Sequence, residues 1–541
     1  MISVDPEISE TTFDVIVIGA GINGAGIARD AAMRGLKVLL LDKGDIGGGT
    51  SSFSTRLIHG GLRYLEHFEF GLVRESLRER ETLMRIAPHL VRPLPLLIPI
   101  YDKARRGPWT MRAGMIAYDV LSVGKSLPRH RMLTRVETLE KLPGLNPEGL
   151  LGSAVYYDAQ VEFAERLVLE NVLSAAEHQA KVLTYARVDR LIVGDGKVRG
   201  VEFTNEQTNE RQSSRAGVIF NAAGPWVDQL LESAGATSPQ LIGGTKGSHI
   251  IVAPFKGAPS VALYVEAETD HRPFFIIPWN GNYLIGTTDT RYDGDLDRIR
   301  IQSEEIAYLL RETNRIIPSA NLSREKILFT YAGVRPLPFI GDKGEAGITR
   351  RHFISRHPQA ANLFSIVGGK LTTYRSLAEE AVNLVFKELG KSVAKCSTAE
   401  VPLPGAVTPQ TSSTFEDFGK AFKLGSGLSL ATSDRLLRIY GMRSKELVKM
   451  AAAEATLAKI IDDETQAIAA EVVYSFEHEL AVNLVDCLLR RMMVGLNSTC
   501  GLDAIVTAAT IAQNHFGWTD QQVLREVSNY RKYVGRFRLR Q

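Results

Sequence analysis

Cysteine is nearly missing from this chain: Cys396, Cys487 and Cys500 are the only three in 541 residues, and no CxxC pair occurs. That excludes a disulfide framework and a cysteine-rich zinc or iron–sulfur centre, and it suits small buried thiols in a reducing compartment. Long apolar runs are also missing. No stretch reaches the 18 or more residues expected of a spanning helix. The first twelve residues, MISVDPEISETT, contain neither a basic segment nor an apolar stretch, so no secretion signal is expected and folding in the cytoplasm is. Excess charge is absent too: 64 Lys and Arg against 61 Asp and Glu leave a net +3. Bulk electrostatics therefore give no reason to invoke a nucleic-acid partner, and none is expected. HExxH and paired-histidine spacings do not occur, so no metal site is expected.

A hydrophobic fraction of 44% with 23% charged residues is that of a globular protein, and 541 residues exceed what one ordinary core holds. From Phe13 to about Cys396, short β-branched runs (DVIVIG, LKVLLLD, GVIFNAAG, SHIIVAP, YLIGTTD, FSIVGG) alternate with helical patterns. This alternation predicts an α/β architecture with a largely parallel sheet. Residues 401–415 are rich in Pro, Ser and Thr and read as a linker. Beyond them, apolar residues recur at three- and four-residue spacing, which predicts a helical C-terminal domain over 416–541.

The first strand runs directly into Gly19-Ala20-Gly21-Ile22-Asn23-Gly24, then a helix, then a second strand, Lys37–Leu41, ending in Asp42. In such a βαβ unit Gly19 permits the tight turn, Gly21 admits a pyrophosphate close to backbone, and Gly24 lets helix and strand pack closely. The helix N-terminus favours phosphate, and Asp42 stands where a carboxylate reaches ribose hydroxyls. The unit alone leaves NAD and FAD open. Thr50-Ser51-Ser52, then Arg56-Leu57-Ile58-His59-Gly60-Gly61-Leu62-Arg63-Tyr64, follow the second strand with small residues against which a planar ring system can lie.

With these motifs in place, the chain resembles the FAD-dependent glycerol-3-phosphate dehydrogenases, the aerobic, membrane-associated, quinone-reducing type within the glycine-oxidase-like flavoproteins. In order, the matching stretches are GAGINGAGIARDAAMRGLKVLLLDKGD, TSSFSTRLIHGGLRYLE, NAAGPWVD, KGSHIIV, GTTD, GVRPL and IVGGKLTTYRSLAEEA, with HELAVNLVDCLLRR in the helical part. Two positions depart from the family's pattern: Asp42 stands where Glu is frequent, and Gln160 where Arg is usual.

The resemblance implies a Rossmann-like FAD-binding domain (1–90, 150–240 and 340–400) interleaved with an α+β substrate domain (91–149 and 241–339), plus the C-terminal all-helical domain. It implies FAD held by Gly19, Gly21, Asn23, Gly24, Asp42, Thr50, Ser51, Ser52, His59, Gly60, Gly61, Val188, Ala222, Ala223, Gly224, Gly368, Lys370, Leu371 and Thr372. It further implies oxidation of sn-glycerol 3-phosphate to dihydroxyacetone phosphate by hydride transfer to flavin, with electrons passed to a membrane quinone. A dianionic phosphate requires converging cations, and Arg63, Arg335 and Lys370 match the family's substrate pocket, with Tyr64 beside them and Arg272 as a further candidate. His249 is the expected base on the strength of an ordinary imidazole pKa near ~6.5, with Arg335 or Lys370 as stabilisers of the developing alkoxide. The alternatives are a glycerol-3-phosphate oxidase using dioxygen and an amine or 2-hydroxy-acid oxidase of the same fold.

A quinone partner requires contact with the bilayer, and a peripheral position on the inner face of the cell membrane is expected. Two basic and aromatic segments are candidates: Arg92–Arg131, with Trp109, Met111, Met115 and Ile116 among its cations, and the tail Tyr530–Gln541. A homodimer is the candidate assembly.

Overall fold

The computed structural model of the chain describes residues 7–539 except 67, 123, 234, 237–238, 342–349, 409–410 and 413. The apolar run Thr12–Ile18 is a central strand of the first sheet, whose order is Phe353–His357, Ala360–Val367, Arg211–Asn221, Thr12–Ile18, Val38–Leu41 and Lys181–Leu183. Along this order the inner pairings are parallel, and Lys197–Asn205 adds antiparallel to the first half of Arg211–Asn221. Both faces are covered, which is why these strands read as unbroken apolar runs rather than alternating ones. Helices Ile22–Met33, Ala164–Glu177 and Tyr374–Glu388 cover one face. The hairpin Ala186–Gly194 and Lys197–Asn205, with the short helix Val227–Ser233, covers the other.

A second, mostly antiparallel sheet of ten strands runs from Thr290–Arg291 through Thr245–Val252, Asn282–Gly286, Pro273–Trp279, Ala262–Glu266, Val91–Tyr101 and Leu150–Val161 to Leu57–Ile58. Ile327–Arg335 adds to Thr245–Val252. Leu150–Val161 pairs along its length with Val91–Tyr101, and Leu57–Ile58 joins its end. Both therefore lie in this second sheet, although a division by sequence at residues 90 and 150 assigns them to the dinucleotide unit. The amphipathic helix Ser303–Ile316 packs Ile306, Leu309 and Ile316 on one face of the sheet. On the other face Ile251, Phe275, Ile277, Phe329 and Tyr331 belong to a core continuous with the C-terminal region.

That region is helical (Phe415–Gly425, Leu430–Tyr440, Ser444–Ala453, Ala469–His478, Ile505–Phe516 and Asp520–Val534), with a π-helical turn, Asp486–Arg491, and a two-stranded ribbon, Ile460–Asp462 with Ala467–Ile468. Thr414, Ser429 and Thr519 each cap a helix through the side-chain oxygen. The preceding Pro-rich stretch is tied down rather than loose: Leu403 and Ala406 are buried, and the Leu403 N–H donates to the Ile86 carbonyl at 2.8 Å. Buried pairs such as Arg166–Glu479, at 2.7 Å, join the helical region to the first sheet's helices. The basic tail is packed as well. Tyr530 and Phe537 are buried, and the Phe537 carbonyl accepts the Thr330 N–H at 2.8 Å, so these two aromatic residues of the tail face the core, while Tyr533 is half-buried and borders the cavity.

Candidate active site

The glycine turn ends the first strand at the sheet's carboxyl edge. Gly19 has φ +107°, and a Cβ there would lie 2.6 Å from the Ala222 carbonyl oxygen. A Cβ on Gly24 would lie 1.8 Å from the Gly19 oxygen, whereas one on Gly21 meets nothing nearer than Ser51 Oγ at 3.5 Å. Two glycines thus allow the chain to pack on itself, and the third keeps a surface clear. No side chain caps the following helix through Gly21, and Ser51 Oγ accepts the Ile22 N–H at 3.0 Å. Asp42 accepts the Ala20 N–H at 2.6 Å and the Gly44 N–H at 2.8 Å. Burial pushes its carboxyl up while those two donors pull it down. Each oxygen keeps a further lone pair for a ligand.

This edge borders a cavity of about 1820 Å³ lined by Gly19, Gly21, Asn23, Asp42, Thr50, Ser51, Val188, Ala222, Ala223, Gly224, Gly368, Gly369, Lys370 and Leu371. A drug-sized ligand needs roughly 300–1,000 Å³, so the space suits something as long as a dinucleotide. Two buried polar atoms on its wall, Asn23 Oδ1 and Trp226 Nε1, have no hydrogen-bond partner among the described residues. The clear face of Gly21 and these two atoms fit FAD. The remaining expected cofactor residues stand behind the wall. Gly24 packs on Gly19, and Ser52 Oγ donates to the Gly47 carbonyl at 2.6 Å. Thr372 Oγ1 accepts the His59 N–H at 3.1 Å. The Gly60 N–H donates to Tyr118 Oη at 3.1 Å and to Asp158 Oδ1 at 3.3 Å. Gly61, at φ +77°, lies against the Tyr64 ring.

Lys370 reaches the cavity with Nζ 4.6 Å from the centre of the Tyr64 ring and hydrogen-bonded to Ser76 Oγ. Burial lowers its pKa to about 8, against the opposing pull of Glu75 and Glu69. Burial likewise lowers His59 to about 4, with Asp158 opposing and Lys370 and Arg80 adding to the fall. Arg335 follows Val334 and precedes Pro336, both on the cavity wall, and the Pro336 carbonyl accepts the Gly368 N–H at 2.8 Å. Its guanidinium donates to Asp289 Oδ1 at 3.0 Å and Thr287 Oγ1 at 2.9 Å. Arg350 takes the other Asp289 oxygen at 3.1 Å, and Arg272 donates to the Asp289 backbone carbonyl. Two guanidinium groups, those of Arg335 and Arg350, therefore share the Asp289 carboxylate, while Arg272 also stands 3.9 Å from Asp270 Oδ2. Although burial opposes ionisation, Arg335 and Arg350 hold the Asp289 carboxyl below its usual range.

His249, the expected base, lies in the second sheet. Its strand runs between the strands of Gly286 and Tyr331, the ring is buried with its centroid 4.8 Å from that of Tyr331, and Nε2 is hydrogen-bonded to Thr55 Oγ1 at 3.0 Å. Neither His249 nor Arg335 is among the residues that line the cavity. Burial, then Arg335 and Arg56, push its pKa well below 6.5. Arg63 opens the turn Arg63–Glu66, and its side chain lies outside the described residues. Gln160 Nε2 is buried without a partner among the described residues. Sequence reasoning missed Arg350, Ser76, Trp226 and the role of Asp289. Of these Asp289, the last residue of GTTD, and Trp226, within NAAGPWVD, stood in matching motifs, whereas the arginines around Asp289 come from separate parts of the chain.

The family model described as FAD dependent oxidoreductase matches residues 14–375, and that described as C-terminal domain of alpha-glycerophosphate oxidase matches 396–523. A glycerol-3-phosphate dehydrogenase of Synechocystis sp. is 46% identical over 98% of this chain and 97% of its own. An aerobic glycerol-3-phosphate dehydrogenase of Staphylococcus haemolyticus is 35% identical over 88% of this chain and 86% of its own. The X-ray structure of the glycerol-3-phosphate dehydrogenase from Bacillus halodurans complexed with FAD superposes with a TM-score of 0.79 at 29% identity, covering 98% of this chain and 96% of that one. With the glycine turn, the cavity and both domains matched, the chain belongs to the FAD-dependent glycerol-3-phosphate dehydrogenase family.

Proposed function

We infer that this chain oxidises sn-glycerol 3-phosphate to dihydroxyacetone phosphate and passes the electrons to a membrane quinone. The carrying observation is the set Arg272, Arg335 and Arg350 around Asp289, joined through Pro336 and Gly368 to the cavity that fits FAD. A carboxylate substrate needs one arginine, whereas a phosphate dianion suits several converging guanidiniums. When bound, FAD supplies the hydride acceptor for the carbinol carbon. Arg335 and Arg350 bind the phosphate, with Arg272 behind them and Tyr64, beside Lys370, completing the pocket. Lys370 takes the hydroxyl proton, since an amine of pKa about 8 is partly neutral near physiological pH. His249, buried and neutral, positions the loop of Thr55 rather than meeting substrate.

The membrane contact is assigned to helix Pro108–Leu121. Met111, Met115 and Tyr118 face the core, whereas Trp109, Ile116 and Val120 are 80%, 49% and 63% exposed. Exposed Lys103, Arg105 and Arg112 flank that second apolar face, and this pairing of apolar and basic side chains suits an anionic bilayer surface. Among the described residues no helix is long and apolar enough to cross a membrane. Tyr118 Oη is bonded to Asp158 at 2.8 Å and to the Gly60 N–H, so this helix abuts the loop expected to face the flavin ring.

The test is glycerol-3-phosphate-dependent reduction of a quinone analogue by the purified protein, read beside oxygen uptake. Quinone reduction with little oxygen uptake is expected. Oxygen uptake that outpaces the quinone reassigns the acceptor, and turnover of glycine or proline in place of the phosphate ester overturns the substrate.

A further inference from the structure

The loop that carries Asp42 is gripped by a part of the chain that has no dinucleotide motif. Asp45, three residues beyond Asp42, is buried and accepts Arg490 Nε at 2.5 Å and Arg491 at 2.7 and 2.9 Å. Arg490 also holds Asp486 at 2.7 Å, and Asp486 accepts the Tyr185 hydroxyl at 2.7 Å. The Asn483 amide donates to the same Tyr185 oxygen at 2.6 Å. Tyr185 closes the circuit, since its N–H donates to the Gly44 carbonyl at 2.9 Å and the next N–H, of Ala186, donates to the Asp42 carbonyl at 2.7 Å. Asp42 in turn fixes Ala20 of the glycine turn through its carboxylate. Asp42, Asp45, Tyr185, Asn483 and Arg490 all border the cofactor cavity.

Buried ion pairs of this kind contribute little net stability relative to apolar packing, but they hold one geometry, and losing a single partner leaves a costly unpaired charge. The two acids are unequal. Burial and the facing Asp45 raise Asp486 to about 6, while Arg491 and Arg490 outweigh burial to keep Asp45 ionised. Asp45 is thus the fixed anion onto which both arginines close.

We propose that the cofactor site is built by two domains, the turn Asp486–Arg491 acting through Asp45 and Tyr185 as a clasp that positions Asp42 and the glycine turn and so sets how tightly FAD is held. The proposal rests on FAD being the ligand of this cavity. Arg490 and Arg491 are positioning residues in it.

The experiment uses the full chain, stripped of cofactor and titrated with FAD by flavin fluorescence, with the melting temperature of each apoprotein measured alongside. Tyr185→Phe removes one hydroxyl from the circuit, and Arg490→Lys keeps the charge but not the fork. FAD Kd is expected to rise roughly fivefold in the first and roughly tenfold or more in the second, as loss of hydrogen bonds to charged groups implies. Apoprotein melting is expected to change little in Tyr185→Phe. Unchanged FAD Kd in Tyr185→Phe and Arg490→Lys, with or without a lowered melting temperature, overturns the clasp and leaves a merely structural contact. Should Arg490→Lys fail to fold, Tyr185→Phe decides alone. An unmodified chain that binds no FAD would instead remove the cofactor reading itself.

Discussion

The two ends of the cavity are made in opposite ways. At the glycine turn, six consecutive residues and one acid 18 positions later do the work, and much of what matters is the absence of side chains. At the proposed substrate end, Lys370 lines the cavity while Arg272, Asp289, Arg335 and Arg350 stand beyond its wall on separate strands and loops, and what matters is charge held in place by other charge. The first kind of site fails by steric intrusion and the second by electrostatic loss, so each should respond to a different class of substitution.

The largest effect is expected from Gly24→Ala, whose Cβ would sit 1.8 Å from the Gly19 oxygen. Overpacking there costs roughly 1–3 kcal/mol or more, and the purified protein should come out colourless, with a lowered melting temperature. Arg335→Met should lower kcat/KM for glycerol 3-phosphate by roughly 10²-fold or more while leaving FAD content normal, because it strips a guanidinium from Asp289 without touching the turn. Loss of flavin in that variant would break the separation between the two ends. Gly21→Ala sharpens it from the other side. With no protein atom nearer than 3.5 Å to the new Cβ, melting of the apoprotein should hold while FAD affinity falls roughly tenfold, measured by titration.

A smaller effect is expected from pH. Burial lowers Lys370 to about 8, so below that value it is protonated and cannot accept the hydroxyl proton. The rate at saturating substrate should rise as pH climbs through about 8, and the rise should vanish in Lys370→Arg, as a pH–rate profile would record. The smallest effect is expected at the exposed face: Trp109→Ser with Ile116→Ser should weaken binding to anionic vesicles roughly three- to tenfold in a sedimentation assay, with unchanged kcat for a soluble acceptor.

The same contrast explains what was legible in the sequence. The βαβ unit is local, so strand, turn, helix and terminal acid can be recognised without knowing anything about distant residues. The change to helical periodicity after residue 415 is local as well. Pairing is not. Nothing in Leu150–Val161 reveals that it lies beside Val91–Tyr101, nor does Ala262–Glu266 advertise its parallel pairing with Leu96 and Leu97. The burial of His249 depends on pairing as well, since its strand runs between Asn282–Gly286 and Ile327–Arg335. Arg350 and Asp289 acquire meaning only together, and the clasp at Asp45 joins residues 445 and 446 positions apart. Contiguous motifs reveal what backbone geometry requires, whereas charge constellations emerge once the sheets have closed.

The most direct measurement is anaerobic addition of glycerol 3-phosphate to the purified, FAD-loaded protein while following the flavin absorbance at about 450 nm. The band is expected to bleach with the phosphate ester and to stay with glycerol, glycine or proline. A band left intact by glycerol 3-phosphate but bleached by an amino acid or a 2-hydroxy acid would contradict it.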